Sequence, residues 1–325
     1  LKDNALAFLS INKQKNRADL SPTRIQQLHQ KAIKEIQQAL QPFGYYHASI
    51  DAKLSKQPTG WLAQYQVDKG PAVYITALDI RVTGEGNEDS KFFNLINNFP
   101  LQIGDILAQE KYKAAKSSFL EISTERGYLD AKFNDHKILI DLTNNTAKIV
   151  LIFYSGQRYQ FGSINFQQTI LSTRLIKTFL TFKAGDPYSI NQLLVLQKAL
   201  SDSDYFMRSD VTTRRDLANG LQLPIDVLLQ PRKRNQYTAG FGYGTDTGAR
   251  ASVGWNNRRI NRQGHRLALQ LTLSEIQNSQ TLQYTVPIHY QRAEQIAITG
   301  ARSHNFLGNK DDILQTLSVS HSSSP

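Results

Sequence analysis

The sequence predicts an α+β fold repeated in tandem, small units of order β-α-α-β-β leading into the first antiparallel strands of a transmembrane β-barrel. Three observations predict it. One pattern returns about every 80 residues over the first two thirds of the chain. From Asn235 onward the hydrophobic period changes to two. No apolar run approaches the roughly 20 residues that a membrane helix needs, so a membrane could be entered only as strands.

In each repeat a helix ends in an aromatic punctuation and runs into a strand: Phe43-Gly44-Tyr45-Tyr46-His47, then Arg126-Gly127-Tyr128-Leu129-Asp130, then Ser203-Asp204-Tyr205-Phe206-Met207, with Asp204 where the others have Gly. The first of these helices starts at Ser21-Pro22, a hydroxyl N-cap followed by proline at the first helical position. Its stripe of Ile25, Leu28, Ala32, Ile33, Ile36, Ala39 and Leu40 has helical spacing, and Gly44 is placed to close it in the left-handed conformation. The second helix carries Tyr112, Ala115, Phe119, Leu120 and Ile122, and the third Ile190, Leu193, Leu194 and Leu200 behind the cap candidate Ser189.

A hairpin follows each punctuation. In the first unit it pairs His47 to Leu54 with Trp61 to Val67 across Gln57-Pro58-Thr59-Gly60, and in the second Ile138 to Leu142 with Ala147 to Tyr154 across Asn144-Asn145. The later units open with strands at Val73 to Val82 and Tyr159 to Phe166, each followed by a short helix, Phe92 to Ile96 or Leu175 to Leu180. The first unit lacks that strand, since Leu1 already lies in its helical region, and the expectation is that the native amino terminus has been cut off. Two helices on one face of a small sheet leave the sheet edges open, which suits capture of an extended partner segment.

In the last third, Tyr237, Ala239, Phe241 and Tyr243 alternate with Gln236, Thr238, Gly240, Gly242 and Gly244, and a turn at Thr245-Asp246-Thr247-Gly248 leads to Ala249, Ala251, Val253 and Trp255. Leu267, Leu269, Leu271 and Leu273 form the third strand, Leu282, Tyr284, Val286, Ile288 and Tyr290 the fourth, and weaker runs cover Gln295 to Arg302 and Ile313 to Ser320. About ten residues per strand, apolar on one side and polar or glycine on the other, is the signature of a barrel with a wet interior. Aromatics near the strand ends, Tyr237, Tyr243, Trp255 and Tyr290, fit an interfacial girdle. About six strands are fewer than the eight of the smallest closed bacterial barrels, so the chain ending at Ser324-Pro325 is expected to be a fragment.

A net charge of +11 calls for an acidic partner. Much of the excess lies in Arg232, Lys233 and Arg234 and in Arg258, Arg259, Arg262, His265 and Arg266. If the first strand rises from the periplasm, the second cluster forms a turn beside the inner leaflet, and Trp255, Arg258, Arg259, Arg262 and Tyr290 are the expected lipid and head-group contacts. The chain has no cysteine, which excludes disulfides and thiolate metal sites. It carries no HExxH, GxSxG or P-loop, so no catalytic residue, metal or cofactor is expected. Gly240 to Gly244 departs from a dinucleotide fingerprint because Thr245 stands at the third glycine's position and no helix pattern follows.

These units, followed by Pro231-Arg232 and the run Thr238 to Arg250, resemble the TamA family of the BamA-like superfamily. Gly44-Tyr45-Tyr46, the run Ser155 to Gly162 and Gly264-His265 add to the resemblance, which covers essentially the whole chain. It implies three polypeptide-transport-associated (POTRA) modules, at 1–71, 72–156 and 157–231, and the start of a 16-stranded outer-membrane barrel at 232–325. It also implies an inner-membrane-anchored TamB-like partner, unfolded outer-membrane protein and autotransporter clients, and modules that sit in the periplasm. The expected templating edge is the first barrel strand, Gln236, Tyr237, Thr238, Ala239, Gly240, Phe241, Gly242, Tyr243 and Gly244, whose interior glycines weaken its pairing. The barrel's later strands and the long loop with the superfamily's arginine motif are absent from this chain. A two-partner secretion translocator is a nearer alternative, opposed by the third repeat at Tyr159 to Gln230. A soluble basic nucleic-acid-binding protein is the alternative of another class; it leaves the alternation unexplained, and no nucleic-acid partner is expected.

Overall fold

The computed structural model describes residues 2–323 apart from 18, 59, 246–247, 291–293 and 308–309, and only the backbone of 307 and 310–311. Leu1, the turn residues Thr59, Asp246 and Thr247, and the closing Ser324-Pro325 lie outside the described residues. The chain divides into two compact units, Leu1–Arg158 and Tyr159–Pro325.

The first unit opens with helices α1 (Lys2–Phe8), α2 (Ser10–Gln14) and α3 (Pro22–Leu40) and the antiparallel hairpin β1 (Ser49–Gln57) and β2 (Gly60–Asp68). Ser21 caps α3 as its residue type demands, its hydroxyl accepting from the Arg24 amide at 3.2 Å. The β-α-α-β-β order then appears in full: β3 (Tyr74–Thr83), α4 (Ser90–Asn97), α5 (Gln109–Arg126), β4 (Lys132–Asp141) and β5 (Thr146–Tyr154). Its sheet has the order β3-β5-β4, with β3 parallel and β4 antiparallel to the central strand. Phe153 sits at the centre of the core, with ring centroids 4.9 Å from Phe133, 5.3 Å from Phe119 and 5.6 Å from Phe92. Truncating such a side chain to alanine costs about 3–5 kcal/mol.

The second unit repeats the order with β6 (Gln160–Gln167), α6 (Thr173–Lys177), α7 (Ile190–Asp202), β7 (Phe206–Thr213) and β8 (Gln222–Pro231), again with the third strand between the other two. Six antiparallel strands follow: β9 (Asn235–Gly244), β10 (Gly248–Asn257), β11 (Arg266–Ser274), β12 (Gln277–His289), β13 (Glu294–Leu307) and β14 (Lys310–Ser322). They form one meander in chain order, with β9 at one end. Helix-over-sheet modules and an antiparallel barrel-like sheet are therefore the fold that the two hydrophobic periods foretold.

Some local expectations differ. Ser189 stands at the N-cap of α7 but makes no side-chain capping bond. Leu120 and Leu194 are exposed rather than in the core, because each follows a buried residue, Phe119 or Leu193, and one step turns a helical side chain about 100° away. Strand β4 begins at Lys132, ahead of Ile138, since Phe133 already packs on Phe153.

Cross-strand register carries the apolar face through the sheet: Trp255 faces Leu269, Leu269 faces Leu282, Leu282 faces Gly300 and Gly300 faces Leu317. The row one step along runs from Thr238 to Gly254, Gln270, Thr281, Ala301 and Thr316, polar or small throughout. Along the row starting at Phe241 the same face turns polar, reaching Asn278 and His304. The apolar band thus slides along the strands from β9 to β13, as it does when strands are tilted to a barrel axis.

Candidate functional site

The strand expected to template is β9, and all nine of its predicted residues lie on it. Among the described residues it is hydrogen-bonded on one side, to β10, with Gly240 opposite Ser252 and Gly242 opposite Arg250. Tyr237, Phe241 and Tyr243 project from the apolar face, Phe241 being 89% exposed. On the polar face the glycines make room for partners: a Cβ at Gly242 would stand 3.1 Å from Arg250 Nε, and one at Gly240 3.0 Å from Ser252 Oγ. Gly254 likewise leaves space for the side chains of Thr238 and Gln270. These glycines thus serve side chains that cross the inner face as well as weakening the strand.

The base of β9 is tied to the preceding module. Asp204 follows α7 with φ of 62°, one of two described non-glycine residues with positive φ. At the matching places Gly44 and Gly127 have φ of 87° and 86°, where glycine is unstrained and aspartate is tolerated with difficulty. Its carboxylate receives two arginines, Arg232 Nη1 at 2.9 Å and Arg258 Nε at 2.7 Å. Arg258 also donates from Nη1 to the Lys233 carbonyl at 3.2 Å and from Nη2 to Gln236 Oε1 at 2.6 Å, the first side chain of the predicted templating edge.

Tyr205, the next residue of the punctuation, donates its hydroxyl to the Gly264 carbonyl and shares a hydrogen bond with the Tyr290 hydroxyl. Tyr290 stacks on Phe179 with centroids 4.2 Å apart and planes at 14°. Arg266 lies 4.9 Å from the Tyr205 ring centroid and donates to the Ser203 carbonyl at 2.6 Å. The Ser172 amide donates to the Arg262 carbonyl at 2.8 Å, fastening α6 to the same turn. The punctuation is therefore a joint. The first copy behaves alike inside its own unit: the Val73 amide donates to the Gly44 carbonyl at 2.8 Å, Gln109 to the Tyr46 hydroxyl at 2.9 Å, and His47 Nε2 to the Leu142 carbonyl at 2.9 Å.

Of the residues expected at lipid head groups, Arg262 has an exposed side chain and Arg259 a half-buried one. Trp255 donates from its indole to Asn235 Oδ1 at 3.3 Å. Arg258, 11% exposed, and Tyr290 are turned toward the module, because Asp204 and Phe179 offer them partners there. Sequence reasoning placed the arginine cluster in a turn but missed its carboxylate; the substitution of Asp204 for glycine within the repeat was the signal that pointed to it.

Residues 1–69 match the family model described as POTRA domain TamA domain 1. Among solved structures, BamA from Haemophilus ducreyi lacking POTRA domains 1–3 superposes with a TM-score of 0.62 at 15% identity, covering 76% of this chain and 47% of that one. CdiB from Acinetobacter baumannii gives 0.43 at 17% identity, covering 86% and 52%, and CdiB from Escherichia coli 0.45 at 14%, covering 94% and 56%. The chain spans about half the length of the BamA chain it matches. With its modules, its six-stranded meander and its superposition on BamA, the chain has the fold of POTRA modules leading into the strands of a BamA-like β-barrel.

Proposed function

We propose that this chain belongs to a TamA-type outer-membrane assembly factor, in which β9 offers its edge to the strands of unfolded outer-membrane protein and autotransporter clients. The observation that carries this reading is the make-up of β9, the first strand of the meander, whose polar face carries Gly240, Gly242 and Gly244, so that its pairing is weak and its edge can open. An extended segment meeting such an edge gains main-chain hydrogen bonds whatever its sequence, and alternate side chains supply selectivity. The three modules, with their open sheet edges, serve a TamB-like partner and clients in the periplasm. The exposed face of Tyr237, Phe241 and Tyr243 meets outer-membrane lipid. A soluble nucleic-acid-binding role is disfavoured by the internal use of Arg232 and Arg258 and by the lipid-like face.

Because these 325 residues contain no cysteine, single cysteines at Thr238, Ala239 and Gly240, in a full-length parent whose other cysteines, if any, are replaced by serine, give an unambiguous test. During assembly in membranes, a client with a cysteine in its last strand should form disulfides whose yield alternates along β9. Uniform background yields would remove the strand-capture reading. Heat-modifiable gel mobility and membrane fractionation of the parent test its location, and a protein that fractionates as soluble would overturn the barrel assignment.

A further inference from the structure

We infer that Asp204 is a positioning residue that holds the base of β9 to the third module through Arg258, so that the module sets where that strand begins. The inference deepens the strand-capture reading and rests on it for its purpose, though not for its geometry. A non-glycine residue in the left-handed region is disfavoured, and the repeat's other copies show that glycine suits this backbone. What aspartate adds is a carboxylate, and each of its oxygens holds a different arginine.

Arg232 follows the end of β8 and Arg258 lies just beyond β10, so one side chain joins the module, the linker and the barrel wall. The planar guanidinium of Arg258 distributes its donors over three elements: Asp204 after α7, the linker carbonyl of Lys233 and the side chain of Gln236 on β9. The Arg258 side chain is 11% exposed, which limits screening on its side of the pair, whereas Asp204 is 35% exposed. Without the carboxylate, Arg232 and Arg258 would lose the counter-charge they share, and Arg258 would keep only the Lys233 carbonyl and Gln236 as acceptors, so the junction would loosen. A displacement of the module is thereby transmitted to the first residues of β9 and not to the far end of the strand.

The test uses hydrogen exchange on the full-length parent in lipid, comparing Asp204→Gly, Arg258→Gln and the double variant. Asp204→Gly is chosen because its backbone suits φ of 62° while the carboxylate is lost, so the module keeps its fold. The expected result is at least a fivefold faster exchange in the peptide spanning Gln236 to Thr238, no change in the module's core strand at Ile225 to Leu229, and a double variant no faster than the faster single. Unchanged exchange at the base of β9, or single effects that multiply in the double variant, would overturn the assignment. The same variants are scored for client insertion rate. If exchange rises while insertion is unaltered, Asp204 still positions β9 and the strand-capture reading falls; if exchange is unmoved, the positioning role falls whatever insertion does.

Discussion

Arg258 and Asp204 lie 54 positions apart in the chain and 2.7 Å apart in space, and their ion pair fastens the turn between β10 and β11 to the last POTRA-like module. The backbone at Asp204 separates two contributions that substitutions can tell apart. Glycine removes the carboxylate and relieves the left-handed strain, whereas alanine removes the carboxylate and keeps the strain. Asp204→Ala should therefore be less stable than Asp204→Gly by about 1 kcal/mol. Thermal unfolding of the two variants side by side checks the order.

Gly264 has φ of +78°, and a Cβ there would stand 2.6 Å from the Tyr205 hydroxyl oxygen and 2.7 Å from Leu175 Cδ2. Gly220 has φ of +58°, and a methyl added there would meet nothing within 4 Å. Gly264→Ala should cost about 2–4 kcal/mol, strain and overpacking together, against about 1 kcal/mol for Gly220→Ala. Equal losses by denaturant unfolding would show that Tyr205 does not hold the turn as closely as described.

Asp89 is buried in the first unit, where it accepts from the Lys91 amide at 3.0 Å, from Arg126 Nε at 2.9 Å and from the Tyr128 hydroxyl at 3.1 Å. Burial alone would raise its carboxyl, but the Lys91 N–H, the Arg126 guanidinium and the Tyr128 hydroxyl outweigh it and hold the group below its ordinary value. A depressed folded value stabilises fully above the unfolded value of about 4 and is lost as pH falls through the folded one. Melting temperature should drop below about pH 4, and Asp89→Asn should cost about 2 kcal/mol at pH 7 while flattening that acid limb. Melts from neutral to acid pH read both. Burial, and then the Asp89 charge, push the Tyr128 phenol up to about 12.

Thr238 and Phe241 have opposite parity on β9, so the amide of one points to β10 and that of the other to the side away from β10. Proline at either should slow client insertion by about tenfold, an interaction of about 1.4 kcal/mol. Only the variant facing β10 should also lower the temperature at which the barrel loses its heat-modifiable mobility. Normal insertion by both variants would count against strand capture.

Most of this architecture was legible from periodicity, because helices over a sheet and a two-sided wall impose different hydrophobic spacings. Strand β9 was found from Asn235 to Gly244, the bounds its alternation implied. The glycine closures at Gly44 and Gly127 followed from local backbone chemistry alone. What the sequence left hidden is long-range. The stacking of Phe179 on Tyr290 and the reach of Arg258 to Asp204 depend on how the module meets the sheet, and no local pattern encodes that meeting. Tyr290 shows the difference: its place near a strand end fits a lipid girdle, yet its ring is taken by a helix-side partner.

The aspartate in the third copy means that the repeats are not interchangeable parts. Duplicating either of the first two modules would lengthen the array and leave the junction with the six-stranded sheet undisturbed. A glycine-bearing copy placed last would abut the wall without a counter-ion for its arginines. The third module is thus an adapter, and a copy with glycine at this place could not stand in for it beside the sheet without loss of the ion pair.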